Sequence, residues 1–158
     1  MHEIAQGKVT FFTVGPLWEG HAQYMYEMLE EVREAYPDET EALFLPIDIH
    51  DYSLDHPRFE LAPFQSELGN LNREKRVHVL SEIKPHEIGT HPFLRFIRSL
   101  VHREGFPTFD VYTDRPVVFA VSHNGFRVER MVVPTLDQLK DVVARLGPKK
   151  SSMTTSEI

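Results

Sequence analysis

The chain has no cysteine among its 158 residues. Disulfides, thiol catalysis, thiolate metal ligands and cysteine-held iron–sulfur clusters are therefore excluded. Long apolar runs are also missing, and none approaches the roughly 20 residues that a membrane-crossing helix needs. Met1 to Lys8 lacks the basic start and apolar stretch of a signal peptide, so a cytoplasmic protein is expected. Positive charge is in short supply, with 17 Lys and Arg against 24 Asp and Glu and a formal net charge of -7. Such a balance disfavours a general grip on nucleic acid or anionic membrane, and neither is expected as a partner. Tryptophan occurs once, at Trp18.

With 41% hydrophobic and 26% charged residues, the composition suits a soluble domain with one core. A single domain is expected over residues 1–148, with a helical insertion at about 52–105 and a polar, disordered tail at 149–158. Residues 8–14, Lys-Val-Thr-Phe-Phe-Thr-Val, read as a buried strand closed by Gly15-Pro16. From Ala22 the apolar positions Met25, Tyr26, Leu29, Val32 and Tyr36 follow helical spacing, with Glu27, Glu30, Glu31 and Glu34 on the outer face. Pro37-Asp38 ends that helix. A second strand follows at 42–49, and one helix between two buried strands suggests parallel pairing. Pro46 removes a ladder donor, which suggests an edge position or a bulge.

Short helical patterns surround Pro63 to Leu68 and Leu71 to Ile83. A clearer helix runs from Pro92 to about Arg103, with Thr90 near its cap and Phe93, Phe96, Ile97, Leu100 and Val101 on one side. Val117 to Val121 reads as a strand, His123-Asn124-Gly125 as a turn and Phe126 to Val133 as the return strand. Thr135 with Gln138 forms a capping box for a final helix, which Gly147-Pro148 stops.

This order resembles the thioredoxin fold along nearly the whole chain. Phe11 to Ala22 falls where that family has an apolar strand followed by Trp-Cys-Gly-Pro-Cys, and Trp18 and Gly20 match the motif. Arg115-Pro116 followed by Val117 to Val121 and Asn124-Gly125 resembles the family's cis-proline and the hairpin after it, and Leu136 to Leu146 its closing helix. Gly105-Phe106-Pro107-Thr108 is locally just as similar to the proline segment, but the spacing to Asn124-Gly125 favours Pro116 over Pro107. The resemblance implies an α/β fold: a central mixed four-stranded sheet in the order 2-1-3-4, flanked by helices, with residues 42–49 and 126–133 at its edges. Between Asp48 and Pro116 the chain carries about 35 to 40 residues more than the family usually has, long enough to be functional.

Glu19 takes the place of the attacking cysteine, His21 that of the motif's proline and Ala22 that of the resolving cysteine. Disulfide exchange needs a thiolate attacking sulfur, and none of these residues supplies one. The implied protein is a degenerate, redox-inactive member that binds another protein or peptide as an assembly or chaperone-type factor. Its expected groove is lined by Trp18, Glu19, Gly20, His21, Arg115 and Pro116, because in active relatives the turn and the cis-proline loop together hold an extended peptide. No catalytic residue, metal or cofactor is assigned.

Other chemistries have candidate residues. Glu19 and His21 could act as an acid/base pair, although an acid at a helix start has capping reasons of its own. Asp48, His50, Asp51, Asp55 and His56, with His86 and His91, offer imidazole and carboxylate to a metal, but match no defined ligand spacing. Turn and cap roles account for most of them. Arg73, Lys75, Arg76, Arg95, Arg98 and Arg103 make the insertion basic while the first helix is acidic. A homodimer in which that helix meets the insertion is the partner arrangement this asymmetry suggests.

Overall fold

The computed structural model describes residues 7–15, 19–48, 77–87, 89–103 and 117–148. Strand β1 (Val9–Gly15) leads into helix α1 (Glu19–Ala35), β2 (Thr40–Pro46), β3 (His78–Val79), a 3-10 turn (Pro85–Glu87) and α2 (Pro92–Arg103); then come β4 (Val117–Val121), β5 (Val128–Val132) and α3 (Leu136–Leu146). The sheet order is β3-β2-β1-β4-β5. Pairing is parallel for β1 with β2 and β2 with β3, and antiparallel for β1 with β4 and β4 with β5.

Strand β1 is central, and it is apolar almost throughout because both sides of it are covered. Phe11 points to one face, where α1 supplies Met25, Leu29 and Val32 and α3 supplies Leu139, Val142 and Leu146. Phe12 points to the other, among Leu43, Leu45 and Phe119 of the sheet and Leu94, Ile97, Leu100 and Val101 of α2. Phe11, Phe12 and Phe119 have no exposed surface. Removing each from water contributes roughly 1.5 to 3 kcal/mol, which is why the period-two alternation of β1 sets the faces so firmly.

Two features differ from the expected sheet. The first is a fifth strand: Leu43 pairs with His78 and Phe44 with Val79, so β2 is flanked on both sides and does not form the edge. Residues 77–83, expected to continue a helix from Leu71, form no helix: His78 and Val79 are a strand, and a single bridge joins Ile47 to Ile83. Val77 and Val79 are fully buried, and β-branched residues beside an open strand edge gain more from the ladder than from a helical turn. The Leu80 N–H reaches the Phe44 carbonyl at 2.8 Å and the Ile83 N–H the Pro46 carbonyl at 3.0 Å. Backbone groups alternate in direction along a strand, so the nitrogen of Pro46 faces the β3 side too. It has no proton to give, and regular pairing lapses there between Val79 and Ile83. The proline therefore marks a ladder break on an inner strand.

The second difference lies in the hairpin. The return strand starts at Val128, not Phe126, because the loop is closed by Ser122 and Arg127: the Ser122 N–H donates to the Arg127 carbonyl at 2.9 Å, and the Arg127 N–H to Ser122 Oγ at 3.0 Å. Gly125 takes the positive φ of 79° that the Asn-Gly signal requires. Phe126 is left 61% exposed at the loop tip.

The helix ends follow the sequence more closely. Thr135 Oγ1 accepts from the Gln138 N–H at 3.2 Å, and Gln138 Oε1 accepts from the Thr135 N–H at 2.8 Å, a complete capping box. A Cβ on Gly147 would lie 2.6 Å from the Val143 carbonyl oxygen, so the tight stop after α3 needs glycine. Helix α2 begins at Pro92, as expected of a residue that has no N–H to leave unpaired. Among the described residues no helix is long and apolar enough to cross a membrane.

Candidate functional site

Strands β1, β2 and β3 run parallel, so their carboxyl ends share one rim of the sheet. In open α/β sheets that rim is where ligands are met, since helix N-termini and connecting loops collect there. Strand β4 runs the other way and begins at the same rim, with Thr13 paired to Val118 and Thr13 Oγ1 donating to the Val117 carbonyl at 2.7 Å. Gly15, Glu19 and Val117 are thus the described ends of the two connections that the sequence singled out. The antiparallel pairing of β1 with β4 makes them neighbours.

Of the expected groove residues, Trp18, Arg115 and Pro116 lie outside the described residues, as do the side chains of Glu19 and His21. Pro107, the alternative cis-proline, lies outside as well. Gly20 sits exposed in the first turn of α1. Ala22 is 1% exposed and packs with Met25 and Leu29 under the sheet, so the position of the missing resolving cysteine faces the core. Helix α1 starts three residues earlier than its apolar periodicity, at Glu19.

The rim also carries apolar surface outside the expected groove residues. Tyr24 is 40% exposed, and its hydroxyl donates to the Pro134 carbonyl at 2.8 Å, which brings α1 against the β5–α3 connection. Val132 and Val133, at the end of β5, are 42% and 44% exposed. In the sequence they close the return strand expected at an edge of the sheet. Only the pairing of Val132 with Val117 places them at this rim.

Val133 holds a φ of 46°, in the left-handed region that a β-branched side chain resists. Buried Pro134 and the capped Thr135 follow it directly, and together they fix where the chain must turn. Replacing Val133 by glycine is expected to raise unfolding stability by about 1 kcal/mol, because relief of the strain exceeds the added chain entropy. Urea denaturation of Val133→Gly checks this, and a loss of stability would mean that the side chain holds the turn.

One ion pair among the described residues stands at the rim. Lys84 Nζ lies 2.7 Å from Asp48 Oδ2, and the Asp48 carboxylate holds the Lys84 ammonium above its ordinary range. Asp48 belonged to the candidate metal group, whose members His50, Asp51, Asp55 and His56 lie outside the described residues. His86 is exposed on the 3-10 turn, while burial lowers the pKa of His91 against the opposing effect of Glu87. Among the described residues no three His, Asp or Glu side chains gather as a metal site.

A second polar cluster lies at the opposite end of the sheet, where β1 and β2 begin. Glu41 Oε1 is 3.6 Å from Arg33 Nη2 and 3.6 Å from His78 Nε2, and Glu41 Oε2 is 3.9 Å from Lys8 Nζ. Burial raises the Glu41 pKa, but His78, Arg33 and Lys8 together outweigh it and hold the carboxyl below its ordinary range. Arg33 also donates to the Pro37 carbonyl at 2.7 Å, tying the end of α1 to the turn before β2. The cluster fastens α1, β2 and β3 together, far from the rim.

Comparison with solved structures identifies the architecture. A T. cruzi protein, GPX1, superposes with a TM-score of 0.54 at 13% identity over 90% of this chain and 83% of its own. A thioredoxin-family thiol:disulfide interchange protein from Chlorobium tepidum TLS gives 0.52 at 12% identity, over 90% and 81%. A putative thioredoxin from Neisseria meningitidis gives 0.51 at 15% identity, over 94% and 81%. No protein-family model matches the sequence, and no curated protein matches it. At such identities the likeness concerns the fold: this is a thioredoxin-like α/β fold, built here without a cysteine.

Proposed function

We propose that this cysteine-free chain is a redox-inactive thioredoxin-like protein that binds an extended segment of another protein at the carboxyl rim of its sheet, acting in the cytoplasm as an assembly or chaperone-type factor. The observation that carries the reading is the antiparallel β1–β4 pairing. It brings the end of β1, the start of α1 and the start of β4 together beside exposed Tyr24, Val132 and Val133. A thiol is dispensable for holding a peptide there, since backbone pairing and aromatic contact supply affinity. Trp18, Glu19, Gly20, His21, Arg115 and Pro116 are the proposed groove residues, with Trp18 as the aromatic anchor.

Cross-linked pull-downs of wild type, Trp18→Ala, Pro116→Ala, Val132→Asp and Phe126→Asp test it. The three rim variants are expected to lose the same partner, with Trp18→Ala weakening binding about 30-fold, as for a buried aromatic anchor. Phe126→Asp, at the opposite end of the sheet, is expected to retain it. Unchanged partner sets in the rim variants would remove the groove.

A further inference from the structure

The acidic and basic helices turn out to lie on opposite faces of the sheet: α1 packs on the Phe11 side and α2 on the Phe12 side. Neither charged face is covered by the other within one molecule. On α1 the exposed row is Glu27, Glu31 and Glu34; on α2 it is Arg95, Arg98 and His102. Helix α2, Pro-Phe-Leu-Arg-Phe-Ile-Arg-Ser-Leu-Val-His-Arg, contains no acidic residue at all, so Arg95 and Arg98 stand one turn apart with no carboxylate within helical reach. The glutamates repel one another in the same way. Arg33, the one basic residue of α1 besides His21, is buried against Glu41 and stands off the acidic row, so each row lacks beside it what the other offers.

The spacings of the two rows are complementary in reverse. Glu27, Glu31 and Glu34 are separated by four and then three residues, and Arg95, Arg98 and His102 by three and then four. Both rows span about 10 Å at 1.5 Å of rise per residue. Set antiparallel, the two helices place Glu34 opposite Arg95, Glu31 opposite Arg98 and Glu27 opposite His102, with no mismatch.

We propose that the α2 face of one molecule docks on the α1 face of a second copy in this antiparallel register. Because the rows point away from the sheet in opposite directions, stacking a second copy on one face leaves the corresponding faces of both outer surfaces open. The contact is heterologous, so it adds molecules head to tail and does not close as a two-fold dimer would. A net charge of -7 repels copies in other orientations, so this basic row selects the approach. The association is weak and salt-sensitive, since exposed ion pairs are screened. It uses no residue of the rim and stands independently of the peptide-binding proposal.

Sedimentation velocity on the full chain tests it. In about 20 mM salt the wild type is expected to grow past dimer with rising concentration, and to return to monomer in about 500 mM salt. Arg95→Glu with Arg98→Glu, and separately Glu31→Lys with Glu34→Lys, are each expected to weaken association at least about tenfold. Mixing the two double variants is expected to restore it, since each then offers what the other lacks. The neutral pair Arg95→Gln with Arg98→Gln is expected to behave as the first variant does and guards against a folding defect. Monomeric wild type at low salt, a closed dimer, association that survives either reversal, or a mixture that stays monomeric would each overturn the proposal.

Discussion

Phe12→Ala is expected to destabilise the protein by about 3 to 5 kcal/mol, measured by urea denaturation. Phe12 lies on the central strand directly across from Phe119 of β4, and neither ring has exposed surface. The ring fills the space between the sheet and α2, against a set that includes Leu94, Ile97 and Leu100. Truncation loses the transfer free energy of the ring and leaves a cavity, because two flanking strands and a packed helix cannot collapse into it. Domains of this size are stable by only about 5 to 15 kcal/mol, so much of the margin is consumed. Phe126→Ala is the matched control: its ring is 61% exposed, and its loss is expected to change stability by less than about 0.5 kcal/mol. A cost below about 1 kcal/mol at Phe12 would mean that α2 is not seated on this face.

The second large effect is expected at Glu41, where one carboxylate faces Arg33, His78 and Lys8. The side chains of Arg33 and His78 are only 10% and 6% exposed. Glu41→Gln would leave a largely buried guanidinium without its anion and is expected to cost about 1 to 3 kcal/mol at neutral pH. The lower part of the range follows from separations of 3.6 to 3.9 Å, beyond ordinary hydrogen bonding, and from the 23% exposure of the Glu41 side chain.

The pH dependence distinguishes lost charge from lost packing. The folded-state pKa of Glu41 lies below the ordinary value of 4.5. Its stabilisation is therefore present above about pH 4.5 and is lost as pH falls through the folded value, where the carboxylate must take a proton. Melting temperatures of wild type and Glu41→Gln are expected to differ at pH 7 and to converge on acidification. Parallel curves would show that the carboxylate charge does not hold this corner.

Some elements were legible because local chemistry and tertiary demand agree. The capping box at Thr135 and Gln138, the proline start of α2 and the stop at Gly147-Pro148 are decided within a few residues of chain, so they survive packing unchanged. Strand β3 was not legible in this way. Its two residues form a strand only because β2 offers an open edge, and that partner lies some 35 positions earlier. The rim residues Val132 and Val133 show the same limit: the sequence places them at the end of a return strand, and only strand pairing across the sheet sets that end beside the start of β4.

The lack of any thiol, the alternation of Phe11 and Phe12 that divides the core, and the reversed spacings of Glu27, Glu31, Glu34 and Arg95, Arg98, His102 are all properties of the chain written out in order. They decide what chemistry is barred and which surfaces are charged. Which of those surfaces can meet is a matter of topology. The sheet separates α1 from α2 and sets them on opposite faces, while the antiparallel course of β4 assembles one rim from segments about 100 residues apart. Helical and strand periods arise from backbone geometry within a few residues, whereas these juxtapositions arise from burying both faces of one sheet at once.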